Sequence, residues 1–409
     1  EMQAAGRRSF PRPYLWYFMG FCASVGGVWY VWKLFRNVSV LRVAKKHNQR
    51  KLRNKRTLQP GWNSKIDSDY KDKCVGCILG LTCGDILGSA LECENPRAIQ
   101  QYGPIHSFPR NRKRYTDDTE MTLALMESII KKAFLSAEHC SENYGLHYLA
   151  RPSRGYGKSA QQTLKALGKR KVSHLQSGYL VNADGSWANG GAMRVAPIGL
   201  CFRNAPDDVL FQATYAAVMC THRHPVGIDG AYAQTLLVRY CAQHTPDTFD
   251  WDEMMEQTIS KVHTDEVKEK LQHAKTSVEQ SLSNLAFAES FTQKRNRYGA
   301  AFQIRSSDCV ASVAFIVGKF YMKPSECVQE AVSLGGDTDT IACMVGACMG
   351  ALHGSTWIPM RWFKNIENSP THGRDTLISC ALQISEFDFQ SSDSVDIGEE
   401  TDETKSGTS

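Results

Sequence analysis

The features that most constrain this fold are two short acidic segments, each lying where a loop turns into a helix with apolar periodicity. The first is TDDT at 116–119, and the second is GGDTDT at 335–340. Neighbouring carboxylates repel each other, so a fold that keeps such pairs usually supplies a cation to offset their charge. Together the segments offer carboxylate and hydroxyl oxygens but no His or Cys, which favours Mg²⁺ or Mn²⁺ over Zn²⁺. We therefore expect the fold to bring both segments to one metal site.

Each acidic segment on its own is equally typical of an ordinary helix start. Asp117 could cap a helix with Glu120 bonding back to it, and the second pair of acids could complement the dipole of a helix that begins near Thr340. The second segment begins with two glycines, and glycine adopts backbone conformations that other residues avoid. Gly335 and Gly336 would let both aspartates converge on one point, which favours the metal site when the segments are considered together.

The spacing of apolar residues predicts a mostly helical chain. Apolar residues recur at helical spacing in many segments, whereas the alternating patterns of strands are scarce. The chain has 409 residues, of which 42% are hydrophobic, and can bury one large core. We predict an all-α fold, a single orthogonal multi-helix bundle with a binuclear metal site built from loops at helix ends. Segments with this periodicity include 208–220, 229–243, 252–262, 265–288 and 308–322.

Charge is distributed unevenly along the chain. The net charge of +6 comes from the N-terminal part, where residues 2–66 hold 14 Lys and Arg and no acidic residue. From Asp67 onward, 41 acidic residues outnumber 34 basic ones, so the folded body is mildly acidic. A body with this balance is not typical of a general nucleic-acid binder, and we expect no direct nucleic-acid binding.

An uncharged, aromatic-rich run from Tyr14 to Trp32 lies between basic flanks. A membrane-spanning helix needs roughly 20 apolar residues, so this run is just long enough. The flank that follows it is the more basic, and by the positive-inside bias the body would face the cytosol. We therefore predict a single-pass membrane anchor at 14–32. A mitochondrial presequence and a shorter secretory signal peptide are the alternatives, since presequences are also acid-free and Arg-bearing.

These patterns divide the chain into four parts. A basic segment with the anchor at 1–36 and a basic connector at 37–68 precede one folded domain at 69–384, which we expect to be monomeric. The remainder, 385–409, is rich in Ser, Asp, Glu and Thr, which predicts a disordered acidic tail. The 14 cysteines lack the spacing of a disulfide framework. Cys74 and Cys77 lie in an apolar segment, so buried thiols are expected rather than a zinc or redox site.

Three further segments accompany the acidic clusters. The segment at 80–92 is a small-residue helix that permits close packing and ends in the carboxylate of Glu92. GSWANGGAMR at 185–194 is a glycine-bearing loop, and THRHP at 221–225 follows a helical stretch. Together with the acidic clusters, and in this order, these motifs resemble the ADP-ribosylhydrolase (ADP-ribosylglycohydrolase) family over about 70–354. NGGAMR and GGDTDTIA are most similar to the branch that removes serine-linked ADP-ribose.

The resemblance implies an all-helical hydrolase with a binuclear magnesium centre. Asp339 would bridge two Mg²⁺ ions, or Mn²⁺ in their place, and a bridged pair can polarise a sugar oxygen and position a water. Glu92 matches a mobile glutamate that activates water or orients the scissile bond when substrate is bound. The implied catalytic residues are Glu92, Asp117 and Asp118. The implied metal ligands are Glu92, Thr116, Asp117, Asp118, Asp337, Asp339 and Thr340.

The resemblance implies that Asp184–Gly190 corresponds to the family's loop that holds the diphosphate and adenosine. N–H groups in a glycine-bearing turn can hold pyrophosphate oxygens. This chain has Trp187-Ala188 where the branch has Tyr-Gly. A tryptophan can still stack on adenine, but alanine is strained if its φ is positive. His222 matches a histidine near the phosphates, and 153–157 resembles a loop that shapes the pocket. The implied substrate contacts are Asp117, Asp184, Gly185, Ser186, Trp187, Ala188, Asn189, Gly190 and His222.

The implied reaction is magnesium-dependent hydrolysis at C1″ of ADP-ribose. It would release ADP-ribose from ADP-ribosylated serine, poly(ADP-ribose) or O-acetyl-ADP-ribose, and the expected partners are such modified proteins, polymers and esters. The transition state has oxocarbenium character, so orientation and electrostatics should supply much of the rate. One alternative is an ADP-ribosylarginine hydrolase, because that branch shares the acidic clusters. Another is a non-catalytic ADP-ribose binder or a structural, crystallin-like relative.

Overall fold

Helices account for nearly all regular structure in the computed structural model, which describes residues 69–102, 106, 108, 114–291 and 303–398. Within these ranges there are seventeen α-helices, two short 3-10 helices and two strands of two residues each. The prediction of a mostly helical chain is confirmed. That the helices cross as an orthogonal bundle stays a prediction.

The helices begin and end as follows. In the first half they are α1 (Asp69–Gly88), α2 (Pro96–Tyr102), α3 (Asp117–Lys132), α4 (Ala137–Ala150), α5 (Lys158–Gly168), α6 (His174–Ser177), α7 (Ala196–Cys201) and α8 (Asp207–Val218). In the second half they are α9 (Pro225–Gln243), α10 (Trp251–Lys261), α11 (Asp265–Glu279), α12 (Asn284–Ser290), α13 (Ser306–Phe320), α14 (Pro324–Ser333), α15 (Thr338–His353), α16 (Met360–Phe363) and α17 (Arg374–Ile384). The two strands are β1 (Leu135–Ser136) and β2 (Val395–Asp396), which pair in parallel.

One predicted helical segment is divided in two. The periodicity at 265–288 continues across both helices, but α11 ends at Glu279 and α12 begins at Asn284. Between them Ser281 adopts a φ of 54°, a left-handed conformation that ends a helix. The apolar spacing survives this break because both helices pack on the same core, so periodicity alone does not show it.

Helix α1 lies at the centre of the fold, where every residue from Lys73 to Gly88 is buried. The face that packs on α15 carries glycines at four-residue spacing, namely Gly76, Gly80, Gly84 and Gly88. A Cβ atom at Gly84 would lie 1.9 Å from the carbonyl oxygen of Ala342, and one at Gly88 would lie 2.2 Å from that of Thr338. Because glycine has no side chain, the backbones of the two helices touch directly, and no larger residue fits at these positions.

This helix pair places two loops side by side. Glu92 follows the end of α1, and the acidic segment 335–340 leads into α15. The backbone N–H of Cys93 donates to the carbonyl oxygen of Gly336 at 2.7 Å, and the N–H of Gly336 donates to that of Glu94 at 3.0 Å. Gly335 has a φ of 73° and Gly336 one of 72°, so both use the conformational freedom expected of them.

No cysteine of the described chain forms a disulfide, and all but Cys93 are buried. Burial raises the pKa of the Cys74 thiol to about 12, and it raises the pKa of Cys77 as well. Buried thiols with raised pKa values are neutral and unreactive. The expectation of core packing for Cys74 and Cys77 is therefore met.

The C-terminal segment departs from the prediction of a disordered tail that begins at 385. The N–H of Phe389 donates to the carbonyl oxygen of Cys201 at 2.9 Å, and the Phe389 ring packs 5.0 Å from that of Phe202. Farther on, β2 pairs with β1. The prediction is corrected for 385–398, because a few aromatic and β-branched residues within a polar sequence provide enough contacts to hold the segment on the body. Residues 399–409 lie outside the described chain.

The prediction of membrane anchoring is also corrected. Within the described ranges, no helix combines the length and the hydropathy that a membrane crossing needs. Helix α1 has 20 residues, but it includes Asp72, Lys73 and Asp85 and is surrounded by other helices. The run at 14–32, on which the anchor and its cytosol-facing orientation rested, lies outside the described residues, as does the basis of the mitochondrial alternative. The membrane assignment is withdrawn.

The contact between α1 and α15 predicts a strong effect of a single methyl group. We expect Gly84→Ala to lower the free energy of unfolding by at least about 2 kcal/mol, because a Cβ atom there overlaps the backbone of α15. Urea denaturation followed by circular dichroism measures the change. Gly157→Ala is the control, since no atom lies within 4 Å of a Cβ at Gly157, and its cost should stay below about 1 kcal/mol. Equal losses in the two variants would contradict the packing argument.

Candidate active site

One cleft of about 460 Å³ collects most residues that the sequence analysis singled out. Both acidic segments line it, although they lie far apart in the sequence. Asp184 and Gly185 do not line the cleft, and Asp184 is exposed. Thr116 is not among the residues that line the cleft. The predicted residues that line it are Glu92, Asp117, Asp118, Ser186, Trp187, Ala188, Asn189, Gly190, His222, Asp337, Asp339 and Thr340.

The first acidic segment forms the start of α3. Thr116, rather than Asp117, is the N-cap, and its side chain accepts a hydrogen bond from the N–H of Asp118. The Thr116 hydroxyl also donates to Oδ2 of Asp118 at 3.0 Å. Glu120 does not complete a capping box, because it bonds to His147 and Arg151 instead. Capping by Thr116 therefore leaves the Asp117 side chain to face the cleft.

A buried carboxylate in α1 holds this helix start in place, and the sequence analysis missed its role. Asp85 accepts the N–H of Thr116 at 2.9 Å, the N–H of Thr119 at 3.2 Å and the hydroxyl of Thr119 at 2.6 Å. Burial raises the pKa of Asp85 to about 6, while these hydrogen bonds oppose the rise. The signal in the sequence was a lone acid between two glycines of an apolar helix.

The second acidic segment forms the start of α15. Oδ2 of Asp337 accepts the side-chain amide of Asn189 at 2.5 Å. The hydroxyl of Thr338 donates to the carbonyl oxygen of Gly88 at 2.8 Å. The start of α15 is thus held by the end of α1 on one side and by Asn189 on the other.

The carboxylates of the cleft raise one another's pKa values. Burial, with added repulsion from Asp85, Asp337 and Glu92, raises the pKa of Asp117 to about 8. Burial also raises the pKa of Asp118 well above its ordinary value, and the charges of Asp85, Asp117 and Asp337 add to the rise. Glu92 and both acidic segments line the same cleft, so the charge on one carboxylate affects the protonation of the others.

The oxygen donors of this site are of the kind that divalent cations such as Mg²⁺ prefer. Oδ1 of Asp118 is buried and makes no hydrogen bond to any described residue. An orphaned carboxylate oxygen among other hard oxygen donors fits Mg²⁺ or Mn²⁺. In the described chain, however, no three His, Cys, Asp or Glu side chains stand close enough to ligate one ion. The donor set therefore fits a cation by its chemistry, but its side chains would have to rotate to bind one.

The loop at 186–190 forms another wall of the cleft and is held by the segment at 303–306. The N–H of Asn189 donates to the carbonyl oxygen of Ile304 at 2.8 Å, and Ala188 forms an antiparallel bridge with Arg305. Ala188 is not among the described non-glycine residues with positive φ, so the strain considered for it does not arise. Gly185 does need its φ of 78°, and a Cβ there would lie 2.4 Å from the backbone nitrogen of His224.

His222 lies against this loop in a buried, cationic environment. Burial and the charge of Arg194 lower the pKa of His222 to about 3, so its imidazole is neutral. Arg194 donates to the hydroxyl of Thr221 at 2.6 Å and to the carbonyl oxygen of Gly190 at 2.8 Å. Nδ1 of His222 lies 2.8 Å from the Thr221 hydroxyl. Arg194 therefore connects the loop to His222, a role that sequence reasoning missed.

A network of buried charges supports the loop at 153–157. Arg154 donates to the carbonyl oxygen of Tyr115 at 2.8 Å, and its guanidinium lies 4.1 Å from the centroid of the Tyr115 ring. Arg154 also forms ion pairs with Glu367 and Glu120. Because Tyr115 immediately precedes the first acidic segment, the network holds both the loop and the start of α3.

Replacement of Asp85 tests how α1 positions the first acidic segment. We expect Asp85→Asn to lower stability by about 1–3 kcal/mol, because the amide turns an N–H toward the donors that Asp85 accepts. The hydrolytic activity expected from the motifs should fall by about 10- to 100-fold as Asp117 and Asp118 shift. Thermal denaturation and initial rates measure the two effects.

Asp229 provides the matched control for Asp85. It accepts the backbone N–H groups of His263 and Thr264 and the Thr264 hydroxyl, so its hydrogen bonds resemble those of Asp85. It is buried but does not line the cleft. Asp229→Asn should cost similar stability and leave the rate of the folded protein unchanged. An equal loss of rate in both variants would show that Asp85 has only a structural role.

The buried network predicts a pH dependence of stability. Burial opposes charge on His147, but hydrogen bonds to Glu120 and Glu127 outweigh it and raise the pKa above 6.5. The contribution of protonated His147 is therefore fully present below about pH 6.5 and is lost as pH rises through its folded-state pKa. Chemical denaturation from pH 6 to 9 should show stability falling by at most about 1.4 kcal/mol per pH unit. The fall should disappear in His147→Gln and persist in His139→Gln.

Known proteins with similar sequences identify the family of this chain. The model of the ADP-ribosylglycohydrolase family matches residues 66–391. ADP-ribosylhydrolase ARH3 of Xenopus tropicalis is 27% identical over 320 residues, which cover 70% of this chain and 89% of the relative. ADP-ribosylhydrolase ARH3 of Homo sapiens is 26% identical over 328 residues, with coverage of 71% and 88%.

A solved structure supports the fold. The structure of an ADP-ribosylglycohydrolase-related protein complex aligns with a TM-score of 0.59 at 20% identity, over 78% of this chain and 99% of that chain. The family match extends over well more than half of the chain and includes every residue described above as lining the cleft. The chain therefore belongs to the ADP-ribosylglycohydrolase family and is a hydrolase that acts on a glycosidic bond.

Proposed function

We propose that this chain is a magnesium-dependent hydrolase of O-linked ADP-ribose, which cleaves the bond at C1″ in ADP-ribosylated serine, poly(ADP-ribose) or O-acetyl-ADP-ribose. The observation that carries the proposal is the single cleft in which Glu92 and both acidic segments face the 186–190 loop. The motifs NGGAMR and GGDTDTIA, and the similarity to relatives named ADP-ribosylhydrolase ARH3, support the O-linked branch.

The acidic wall would receive the ribose and the ion. When bound, Mg²⁺ would supply Lewis-acid polarisation of a sugar oxygen and a more acidic water. The residues that would hold it are Glu92, Thr116, Asp117, Asp118, Asp337, Asp339 and Thr340. Glu92 follows the end of α1, lines the cleft and is only partly buried. In this position it would act as a base that orients a water at the anomeric carbon.

The wall formed by the 186–190 loop and His222 would hold the rest of the ligand. His222 is neutral and lies beside Gly190, so it can form a hydrogen bond with a phosphate oxygen without adding charge. Trp187 offers an aromatic ring at the rim. The amide of Asn189 donates to Asp337 and to the carbonyl oxygen of Gln303, so its side chain positions the acidic wall instead of binding substrate. This assignment differs from the substrate contact expected from the motif.

A linkage-resolved hydrolysis assay tests the proposal. The full chain is incubated with serine-linked and arginine-linked ADP-ribosyl peptides, poly(ADP-ribose) and O-acetyl-ADP-ribose, each with Mg²⁺ or with EDTA. We expect ADP-ribose release from the O-linked substrates, and a loss of at least about 100-fold in EDTA and in Asp339→Asn. Release from the arginine-linked peptide alone would assign the chain to the other branch. Tight ADP-ribose binding without any release would identify a non-catalytic binder.

A measurement without turnover separates loss of the ion from loss of the fold. Mg²⁺ should raise the midpoint of thermal unfolding of the wild type, because a ligand that binds only the folded state stabilises it. It should not do so in Asp339→Asn. Asp208→Asn removes an exposed carboxylate that is remote from the cleft lining and should respond like the wild type. An unchanged midpoint in the wild type at millimolar Mg²⁺ would contradict the metal assignment.

A further inference from the structure

Trp187 stands at the rim of the cleft on a backbone that cannot move freely. Its carbonyl oxygen accepts the N–H of Ser306 at 3.0 Å. On the other side, a Cβ atom at Gly227 would lie 3.2 Å from the Cα atom of Trp187, so α9 packs directly against this residue. The side chain is 42% exposed, and rotation about its own bonds is the freedom that remains.

Arg305 removes much of that remaining freedom. Its guanidinium carbon lies 5.2 Å from the centroid of the Trp187 ring, a distance typical of a cation–π contact. The backbone of Arg305 pairs with that of Ala188 in an isolated antiparallel bridge. The side chains of Arg305 and Trp187 therefore start from adjacent backbone segments. The guanidinium therefore lies over the indole, while Trp187 still lines the cleft and remains 42% exposed.

Glu266 in turn fixes Arg305. Its two carboxylate oxygens accept from Nε and Nη2 of Arg305, the latter at 2.6 Å, in the fork geometry that guanidinium and carboxylate groups share. The hydroxyl of Ser307 donates to the same carboxylate at 2.6 Å. A guanidinium held by two parallel hydrogen bonds keeps its plane and position. The order of contacts thus runs from Glu266 through Arg305 to Trp187.

We infer that Arg305 and Glu266 are positioning residues, which hold the Trp187 indole as a preset stacking surface for the planar base of the ligand. Ordering an exposed aromatic side chain on binding costs conformational entropy, and a ring held in place beforehand avoids that cost. The inference rests on the proposed function, because it specifies which part of an ADP-ribose ligand this wall receives. Nothing in the family motifs includes Arg305 or Glu266.

Binding measurements on matched ligands test this inference. AMP and ribose 5-phosphate share a phosphate and a ribose but differ in the base. Isothermal calorimetry should show the Kd for AMP and for ADP-ribose rising about 2- to 5-fold in Arg305→Gln, with the Kd for ribose 5-phosphate unchanged. In steady-state assays KM should rise while kcat is retained. Arg305→Lys keeps the charge but not the fork, so it should give an intermediate rise.

Glu266→Gln distinguishes positioning from simple attraction of phosphate. If Arg305 acted as a positive charge for phosphate, removal of the carboxylate that neutralises it would tighten the binding of both AMP and ribose 5-phosphate. The positioning role predicts weaker AMP binding, because the guanidinium loses its fork. Tighter binding in this variant, or an equal change for both ligands, would overturn the inference.

Two controls keep this test separate from folding and from the proposed function. Glu256→Gln breaks an ion pair with Lys275 that is remote from the cleft lining, and should leave every Kd unchanged. Circular dichroism and thermal midpoints exclude unfolding. A wild type that binds ADP-ribose but cleaves no linkage would end the proposed function and leave this inference standing. An active wild type whose Arg305→Gln variant binds AMP equally well would end the inference alone, and a wild type that binds no ADP-ribose would end both.

Discussion

Direct contact between the backbones of α1 and α15 is the constraint on which the cleft depends. Glycine in a helix costs about 0.5–1 kcal/mol relative to alanine, and α1 carries four at the contact. Packing between the two helices has to offset that cost. In return the end of α1 meets the start of α15, with Gly88 against Thr338. Thr338 belongs to the second acidic segment and Glu92 follows Gly88 by four residues, so the helix contact brings Glu92 and this segment together.

The buried cations around Glu120 form a network that does not include the cleft acids. His147, Arg151 and Arg154 all pair with Glu120, one turn into α3, and Arg154 pairs with Glu367 as well. No ion pair to Asp117, Asp118, Asp337 or Asp339 is found within the described ranges. Their charge is instead moderated by N–H and hydroxyl donors such as Asn189 and Thr116.

The sequence was a good guide wherever a local pattern carried the physics. Helical periodicity placed α8, α9, α10 and α13 within a few residues, because each carries apolar residues at helical spacing. The convergence of the acidic segments was predictable because like charges need compensation. Asp85, Arg194 and the pair Glu266–Arg305 were not found, since each acts through a partner more than twenty residues away. The predicted tail was wrong over 385–398 for a related reason, because polar composition hides a few residues with distant packing partners.

The amino-acid sequence by itself determined the family, the helical class and the chemical type of the site, because these follow from residue identity and from spacing along one helix. Tertiary structure alone decided which acids line one cleft, that Thr116 caps α3 in place of Asp117, and that the Asn189 amide donates to Asp337. The physical reason is that a hydrogen bond or a backbone contact depends on distances of a few ångströms between elements. Those distances are set by how whole helices pack, and no single segment encodes them.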